Sequence, residues 1–282
     1  MLTLLEVLTK STEYLQKKGI ESARLNAELL LAEVLNCKRL DIYMRFDKPL
    51  TEDELIKYRE FISRRGKFEP LQYILGYTEF YGNRISVNKD VLIPRPETEI
   101  LVENIIDQYR STPNLKILDI GTGSGNISIA LAKNLISPLI LTIDSSLEAI
   151  EVAKNNCLLN NLNGEVNFIH GDVVTHQFQQ QFDIVVSNPP YISLTDYETL
   201  QNEVKYFEPK SALTDLHDGL FYFESITKKM YNHILPGGKI IFEIGFGQSD
   251  SVKEIMLSHK FQKIEIVKDY QNIDRVISGV KI

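Results

Sequence analysis

From about residue 115 onward, short apolar runs alternate with longer segments of helical periodicity. The first run, 115–120, leads through a glycine-rich stretch into a helical pattern at 127–135. Strands that alternate with helices in this way predict a mostly parallel sheet with helices packed on both faces. The last two predicted strands, 264–267 and 275–280, have no helix between them. We therefore expect these two strands to pair antiparallel as a terminal hairpin.

The elements in between are predicted from the same change of period, from two in strands to about 3.6 in helices. The helix that starts at Phe221 is expected to end at Pro236-Gly237-Gly238, because proline and paired glycines interrupt helices. The full pattern predicts strands at 139–143, 166–169, 183–186 and 239–244, and helices at 147–159, 221–235 and 252–257.

A glycine-rich loop follows the first predicted strand, in the sequence Asp119-Ile120-Gly121-Thr122-Gly123-Ser124-Gly125. Glycines let a backbone turn tightly and approach a ligand, and the following helix offers free amides at its N-terminus. The dinucleotide-binding pattern GxGxxG does not fit, because the third glycine comes one residue early and Asn126 stands in its place. GxGxG after an acidic residue is instead typical of methyltransferases that use S-adenosylmethionine. A glycine-rich turn without a ligand is the alternative.

Two acidic residues at the ends of the next strands extend the predicted cofactor site. Asp144 ends the second strand, where a carboxylate can hold both hydroxyls of a ribose. Asp172 ends the third strand and could accept from an adenine amino group beside Val173, or it could simply cap its own turn. The residues predicted to bind the cofactor are Asp119, Gly121, Thr122, Gly123, Ser124, Gly125, Asp144, Asp172, Val173 and Asn188.

The sequence Asn188-Pro189-Pro190-Tyr191 follows the fourth predicted strand, at the edge where parallel sheets bind ligands. The prolines remove two backbone donors and hold the residues before them extended, so this edge presents carbonyl acceptors. Such an edge suits an NH2 on a planar group, with the Asn188 side-chain oxygen and a backbone carbonyl each accepting one hydrogen. We predict Asn188, Pro189 and Tyr191 as catalytic and Asn188, Pro189, Pro190 and Tyr191 as substrate-binding, with the Tyr191 ring stacked on the planar group. A proline-stiffened turn is the alternative.

The N-terminal region has leucines at helical spacing and predicts a small helical bundle. One of its helices is expected to start at a capping box formed by Thr51 and Glu54 and to end at Gly66. A turn at Gly82-Asn83 between β-rich segments predicts a hairpin. The predicted domains are a helical domain at 1–76, a hairpin linker at 77–90 and the main domain at 91–282, whose first helix runs from about Pro96 to Tyr109.

The net charge of −7 disfavours a large non-specific grip on nucleic acid, which requires many lysine and arginine contacts to phosphate. Arg64, Arg65 and Lys67 form a candidate basic patch, although a solvated loop at a helix end explains them more simply. Cys37 and Cys157 are expected in or near the core, because their separation suggests neither a disulfide framework nor a metal site.

The five histidines also lack metal-ligand spacing, so we expect no metal. Neither a signal peptide nor an apolar run of membrane-spanning length is recognised in the sequence. A cytoplasmic location and no membrane partner are the corresponding expectations.

Several further motifs carry a resemblance to a known family. The glycine loop and Asn188-Pro189-Pro190-Tyr191 together resemble amino methyltransferases that act on adenine, guanine or glutamine. The motifs that narrow this resemblance are Glu69-Pro70-Leu71-Gln72-Tyr73-Ile74-Leu75-Gly76, Glu79-Phe80-Tyr81-Gly82, Leu92-Ile93-Pro94-Arg95-Pro96-Glu97-Thr98-Glu99, Glu208-Pro209, Asp218-Gly219, Glu243-Ile244-Gly245 and Asp274-Arg275-Val276. With these, nearly the whole chain resembles the HemK (PrmC) family.

The resemblance implies a Rossmann-like class I S-adenosylmethionine methyltransferase sheet with an antiparallel last strand, preceded by a small helical domain that docks the substrate. It further implies methyl transfer to the side-chain amide nitrogen (N5) of the glutamine in the Gly-Gly-Gln motif of peptide chain release factors, with S-adenosylhomocysteine as product. By the same resemblance, the stretch from Arg95 to Thr98 would lie near the site entrance, without an assigned role.

Three alternatives compete with this interpretation. A nucleic-acid amino methyltransferase shares the central chemistry but usually has a basic face and flips a base out of a duplex. Because this chain has a net charge of −7, direct nucleic-acid binding is not expected. A non-enzymatic protein on the same scaffold would be indicated by loss of the loop glycines or of Asn188, and all are present. A nicotinamide dehydrogenase leaves both Asn126 and the Asn188-to-Tyr191 motif unexplained.

Overall fold

In the computed structural model, which describes residues 2–282, the chain forms two compact units. One unit contains the N-terminal region up to Tyr77 together with Gln201–Phe207. The other contains Thr78–Leu200 and Glu208–Ile282. The helices are α1 (Leu4–Lys17), α2 (Ala23–Val34), α3 (Arg39–Tyr43), α4 (Glu52–Arg65), α5 (Leu71–Leu75), α6 (Pro96–Tyr109), α7 (Asn126–Asn134), α8 (Leu147–Leu159), α9 (Leu194–Tyr197), α10 (Asn202–Phe207), α11 (Phe221–Met230) and α12 (Ser249–Ser258), with a 3-10 turn at Lys210–Ala212.

The strands belong to two sheets. The smaller sheet contains only β1 and β2, and the larger one contains the remaining seven strands. Their bounds are β1 (Tyr77–Phe80), β2 (Asn83–Ser86), β3 (Lys116–Ile120), β4 (Leu139–Asp144), β5 (Val166–His170), β6 (Phe182–Ser187), β7 (Ile234–Glu243), β8 (Phe261–Lys268) and β9 (Asp274–Lys281).

The first unit is a helical bundle whose core is formed mainly by leucines and isoleucines of α1, α2 and α4. The predicted capping box at the start of α4 is confirmed: Glu54 N–H donates to Thr51 Oγ1 at 3.3 Å, and Thr51 N–H donates to Glu54 Oε2 at 2.7 Å. Thr3 and Glu6 form a second capping box at the start of α1. These side chains satisfy amides that a helix N-terminus leaves without partners, and so they fix where both helices begin.

Of the three residues in the predicted solvated loop, Arg64, Arg65 and Lys67, Arg65 is buried, and both arginines are paired with carboxylates. Arg65 is 5% exposed and donates to Asn26 Oδ1 at 2.7 Å. Its second partner is the Glu203 carboxylate, at 2.7 Å. Arg64 pairs with both carboxylate oxygens of Glu69, at 2.6 and 2.9 Å. The Arg65 guanidinium therefore serves the packing of the bundle, because a buried charge must be paired. The Arg64 side chain stays 34% exposed.

The predicted hairpin is present, but its turn lies one residue earlier than expected. Tyr81 and Gly82 both have positive φ, at 48° and 70°, and Asn83 is the first residue of β2. Two central residues with positive φ are the signature of the tight turn that matches the twist of a hairpin. Asn156, on α8, holds the hairpin by accepting from Ser86 N–H at 2.7 Å and donating to Ser86 O at 2.9 Å.

The large sheet has the order β5-β4-β3-β6-β7-β9-β8. Strands β3 to β7 are parallel, and β9 lies between β7 and β8 and is antiparallel to both. The predicted doubly wound sheet with an antiparallel last strand is therefore confirmed. The sequence predicted the pairing of the last two strands but not that β9 would insert beside β7.

The predicted helix at 221–235 is too long. The helix ends at Met230, and Ile234 already pairs with Phe182 at the start of β7. Pro236, Gly237 and Gly238 lie inside β7, where the register with β6 shifts. Proline and glycine interrupt the helix as expected, but here they form a strand irregularity, which is one of the few places where a sheet accepts them.

One hydrophobic cluster of the second unit packs between the strands of the large sheet and helices α11 and α12. Its fully buried members include Phe223, Phe242 and Phe261, and the Phe223 and Phe242 rings meet edge to face at 5.2 Å. Cys157 is buried, Cys37 is half-buried, and both are free thiols. Within residues 2–282, none of the helices combines the length and the apolar composition required to cross a membrane.

Candidate active site

A cavity of about 510 Å³ lies at the carboxyl ends of β3, β4, β5 and β6. Ligands bind at this edge of open parallel sheets, because loops leave the strands there and helix N-termini point toward it. Eight residues predicted from the sequence line it: Gly121, Gly123, Asp144, Asp172, Val173, Asn188, Pro189 and Pro190. The other five predicted residues, Asp119, Thr122, Ser124, Gly125 and Tyr191, are not among the residues that line the cavity.

Sequence reasoning missed much of the cavity wall. One missed part is the extended segment 89–92, and another follows α10 and includes Pro209, Ser211 and Ala212. Tyr222 and Ile226, one helical turn apart on α11, form a third missed part, and the stretch 145–149 after β4 contributes a fourth. None of these segments carries a local motif of its own, although Glu208-Pro209 and the stretch before Arg95 were among the family resemblances.

The charge on the cavity wall is strongly acidic. Four carboxylates line the cavity, from Asp90, Asp144, Glu148 and Asp172, against one ammonium group, that of Lys89. A wall of this sign attracts a cationic ligand and repels a pyrophosphate. The cavity therefore suits a sulfonium cofactor better than a dinucleotide.

Gly125, the last glycine of the loop, is required by packing as well as by backbone conformation. Its φ is +82°, and a Cβ at this position would lie 3.1 Å from Cβ of Ala153 on α8. Asn156, one turn further along α8, donates to Ser124 O at 2.9 Å. Helix α8 therefore holds the end of the glycine loop in place, and Gly125 permits the close approach.

Asp144 links the glycine loop to the cavity. Its Oδ2 accepts from Gly123 N–H and its Oδ1 accepts from Ser146 N–H, each at 2.9 Å. Burial raises the pKa of its carboxyl above the ordinary value, while these backbone hydrogen bonds act in the opposite direction. Asp144 thus shapes the loop and also presents a carboxylate to the cavity.

Asp119 lies beneath the loop and is fully buried. Its Oδ2 accepts from Ser128 Oγ at 2.6 Å and from Thr122 Oγ1 at 3.4 Å. Its Oδ1 has no hydrogen-bond partner among the residues that the structure describes. Burial raises the pKa of Asp119 to about 6, against hydrogen bonds that lower it. The side chain supports the loop from below rather than lining the cavity.

We expect Asp119→Asn to change how stability depends on pH. Because the folded pKa lies near 6 and the unfolded pKa near the ordinary value of 3.8, stability contributed by this group is present below pH 4 and is lost as pH rises to about 6. From pH 4 to pH 7, the Asp119→Asn variant should gain up to about 3 kcal/mol relative to the wild type in the free energy of unfolding.

This expectation is checked by urea unfolding at several pH values, with Asp107→Asn, at an exposed position on α6, as the control. An Asp119→Asn difference that does not vary between pH 4 and pH 7 would contradict the raised pKa.

Asp172 fulfils the turn role that the sequence left open. Its Oδ1 accepts from Val174 N–H at 2.7 Å, closing a turn after β5. Because Asp172 also lines the cavity, the same carboxylate can face a ligand. Tyr222 lines the cavity as well, and burial together with the Asp172 charge raises its pKa.

The predicted motif Asn188-Pro189-Pro190-Tyr191 begins directly after β6. Asn188 Nδ2 donates to Thr98 Oγ1 at 3.2 Å, and Thr98 Oγ1 donates to Glu243 Oε2 at 2.5 Å. The Tyr191 hydroxyl donates to the other carboxylate oxygen, Glu243 Oε1, at 3.2 Å. A chain of hydrogen bonds thus runs from the cavity to a buried carboxylate at the end of β7.

Glu243 is 1% exposed, and burial raises the pKa of its carboxyl. The two hydroxyl donors and the positive charge of Arg275 act against this rise. Burial, followed by the nearby Glu243 charge, also raises the pKa of Tyr191, so its hydroxyl keeps its proton at neutral pH. The Tyr191 hydroxyl therefore points to Glu243, and its ring is not part of the cavity wall.

Gln248 fixes the backbone of the motif from the other side. Its Nε2 donates to Tyr191 O at 3.0 Å and to Gly219 O at 3.3 Å, while its Oε1 accepts from Gly245 N–H at 2.9 Å. Three loops at the carboxyl edge of the sheet thus meet at one amide side chain. This residue could not be identified from a local pattern.

Arg95 lies on the segment that leads into α6 and pairs with the buried Glu208 at 2.5 Å. The second oxygen of Glu208 accepts from Ile93 N–H at 3.3 Å. Glu208, which precedes Pro209, therefore holds the segment that follows Leu92. Leu92 and Pro209 both line the cavity.

Comparison with known proteins assigns the chain to a class. A solved methyltransferase from Pyrococcus furiosus superposes with a TM-score of 0.54 at 18% identity, covering 71% of this chain and 89% of that one. The methyltransferase small domain family matches residues 96–206. The sheet order, the glycine loop and these matches define a Rossmann-like class I methyltransferase.

The family follows from the whole chain. The PrmC N-terminal domain family matches residues 6–76. A release factor glutamine methyltransferase of Fusobacterium nucleatum is 42% identical, over 98% of this chain and 78% of its own length. One of Geobacter sulfurreducens is 40% identical, over 98% of this chain and 96% of its own. The chain belongs to the release factor glutamine methyltransferase family.

Proposed function

We propose that this enzyme transfers a methyl group from S-adenosylmethionine to the side-chain amide nitrogen (N5) of the glutamine in the Gly-Gly-Gln motif of peptide chain release factors. The main support for this proposal is the position of Asn188, which lines the cavity. Because Asn188 Nδ2 donates to Thr98, Oδ1 is left available to accept from a substrate NH2. The family membership supports glutamine in a release factor as the source of that NH2.

The cavity residues fit S-adenosylmethionine, which carries positive charge on its sulfonium and ammonium groups. Asp144, Asp172 and Val173 all line the cavity. In this proposal Asp144 accepts from the ribose hydroxyls, and Asp172 and Val173 flank the adenine. The loop from Asp119 to Gly125 provides the wall for the methionine part, through Gly121 and Gly123. The excess of carboxylates on the wall is the observation that supports this assignment over a nicotinamide dinucleotide.

When bound, S-adenosylmethionine supplies an electrophilic methyl group, and S-adenosylhomocysteine is the product. The protein's own task is positioning. Asn188 Oδ1 and a backbone carbonyl of the Pro189-Pro190 stretch hold the two hydrogens of the glutamine NH2. Tyr191, tied to Glu243 and Gln248, fixes the end of the motif. The amide proton is lost to solvent or along the carbonyl edge once the nitrogen is alkylated.

The helical region is proposed to dock the release factor, with domains at 1–76, 77–90 and 91–282. No metal takes part in this proposal, and the reaction is placed in the cytoplasm because release factors act on ribosomes. A nucleic-acid amino methyltransferase remains the alternative, although Arg64 and Arg65, its candidate phosphate contacts, are occupied by Glu69 and Glu203.

The proposal is tested by incubating the full chain with S-adenosylmethionine and a bacterial release factor, followed by peptide mapping by mass spectrometry. We expect one added methyl group on the Gly-Gly-Gln glutamine, lost with Asn188→Ala. Parallel reactions contain bulk RNA and DNA. Methylation of a nucleic acid without methylation of the factor would favour the alternative.

Asp144→Asn is expected to raise the dissociation constant of S-adenosylmethionine by about 10- to 100-fold. The reason is the loss of a charge-assisted contact of about 1.5–3 kcal/mol, with tenfold in affinity per 1.4 kcal/mol. Titration calorimetry measures this, with Asp183→Asn, at the outer end of β6, as a variant outside the cavity. Equal affinities for Asp144→Asn and the wild type would remove Asp144 from the ribose site.

A further inference from the structure

The structure assigns Thr98 and Glu243 a shared role: they fix which way the Asn188 amide faces, and by doing so they let the enzyme accept a glutamine side chain and reject a glutamate. Neither residue lines the cavity, so both are positioning residues. This inference deepens the proposed function and rests on it.

The direction of the hydrogen-bond chain follows from the chemistry of its end. Both carboxyl oxygens of Glu243 accept a hydroxyl hydrogen, Oε2 from Thr98 and Oε1 from Tyr191, so neither oxygen is left to donate to Thr98. Thr98 has one hydroxyl hydrogen, and that hydrogen goes to Glu243 Oε2 at 2.5 Å. Toward Asn188, Thr98 can therefore only accept, and the atom it accepts from must be Asn188 Nδ2, at 3.2 Å.

The other face of Asn188 is fixed by the same argument. An asparagine amide has one accepting and one donating end, and turning it by half a rotation exchanges them. With Nδ2 held by Thr98, Oδ1 is the end left for a ligand, and no hydrogen bond within residues 2–282 uses it. Oδ1 accepts from the NH2 of a glutamine but repels the oxygens of a glutamate.

The surroundings explain why the anchor is a carboxylate. Thr98 is 2% exposed and Glu243 1% exposed, so neither can exchange its partner for water. Tyr191 supplies a second donor to Glu243, and Arg275 a nearby positive charge, while Glu97 opposes them. A neutral amide or hydroxyl in place of Glu243 could donate as well as accept, and the direction of the chain would be lost. Because both of its carboxyl oxygens accept, Glu243 fixes the direction of the hydrogen-bond chain that starts at Asn188.

The test compares Thr98→Val with Thr98→Ser. Valine keeps the shape of threonine without its hydroxyl, whereas serine keeps the hydroxyl. Each variant and the wild type are assayed with a release factor and with the same factor carrying glutamate in place of the Gly-Gly-Gln glutamine. Methylation gives kcat and KM for the first, and competition gives the inhibition constant of the second.

The wild type should bind the glutamate factor about 100-fold more weakly than the glutamine factor, because its site is built to accept a hydrogen there. In Thr98→Val, the ratio of the affinities for the glutamine factor and the glutamate factor should fall about tenfold, and kcat should also fall about tenfold. The reason is that Asn188 is then free to turn. Thr98→Ser should keep the wild-type ratio. An unchanged affinity for S-adenosylmethionine shows that each variant is folded.

Glu243→Gln provides a second, independent variant. Its amide can donate to Thr98, which can then donate to Asn188 and turn the amide, so the same narrowing of the ratio is expected. A Thr98→Val or Glu243→Gln enzyme that binds S-adenosylmethionine normally and keeps the wild-type ratio overturns the inference alone. A wild type that methylates no release factor overturns the proposed function, and this inference with it.

Discussion

Replacing Asn188 with alanine is expected to lower kcat for release factor methylation by about 100- to 1,000-fold, the range seen when one positioned hydrogen-bonding group is removed from an active site. Asn188 is the only side chain of the motif that combines a free acceptor with a place on the cavity wall. Its removal leaves the substrate NH2 with one of its two acceptors, so the nitrogen is no longer held in line with the methyl group.

Single-turnover kinetics with saturating S-adenosylmethionine measure this loss directly. The affinity for S-adenosylmethionine should change less than about tenfold, because Asp144, Asp172 and the loop glycines remain. Asn104→Ala serves as the control, since Asn104 lies on α6, away from the cavity wall, and bonds only to Gln108 among the contacts resolved. An Asn188→Ala enzyme with a kcat close to that of the wild type would show that the backbone carbonyls suffice.

Replacing Gly219 with alanine is expected to lower the free energy of unfolding by about 3 kcal/mol, from about 1–2 for the left-handed backbone and about 1–3 for a forced contact. Gly219 has a φ of +84°, and a Cβ there would lie 2.3 Å from Tyr191 O. That carbonyl is held by Gln248, so it cannot move without disturbing the end of the motif. Methylation should therefore fall together with stability.

Gly247 provides a matched control for the backbone part of this effect. It also has a positive φ, +77°, but a Cβ there would meet nothing within 4 Å. Gly247→Ala should therefore cost only about 1 kcal/mol, from the backbone conformation alone. Urea unfolding measures both variants. Equal losses would mean that the contact with Tyr191 is not what requires glycine at position 219.

The parts of the site that could be predicted from the sequence are those formed within a few consecutive residues. Three features act through their own backbone: the glycine loop, the prolines after β6 and the capping box at Thr51. Each of them can therefore be predicted from a short stretch of consecutive residues. Strand and helix periods likewise reveal a sheet with helices on both faces, because each period reflects which face is buried. This is why eight of the predicted residues line one cavity.

The predictions that were wrong concern residues whose partners lie far away in the sequence. The predicted end of the helix from Phe221 is wrong because Ile234 leaves the helix to pair with Phe182. The predicted solvation of Arg65 is wrong because Asn26 and Glu203, which bind its guanidinium, lie far away along the chain. Local spacing carries no information about such partners.

The sequence by itself determined the class of fold, the cofactor loop and the motif that meets the substrate, since those rest on local conformation and burial period. Only the tertiary structure decided which side chains stand behind the motif. Thr98 at the start of α6 and Glu243 at the end of β7 are 145 residues apart and meet at 2.5 Å. They meet because α6 packs against β7, and β7 in turn pairs with β6, whose end leads into Asn188. The direction of each hydrogen bond is set by the atoms that this packing brings together.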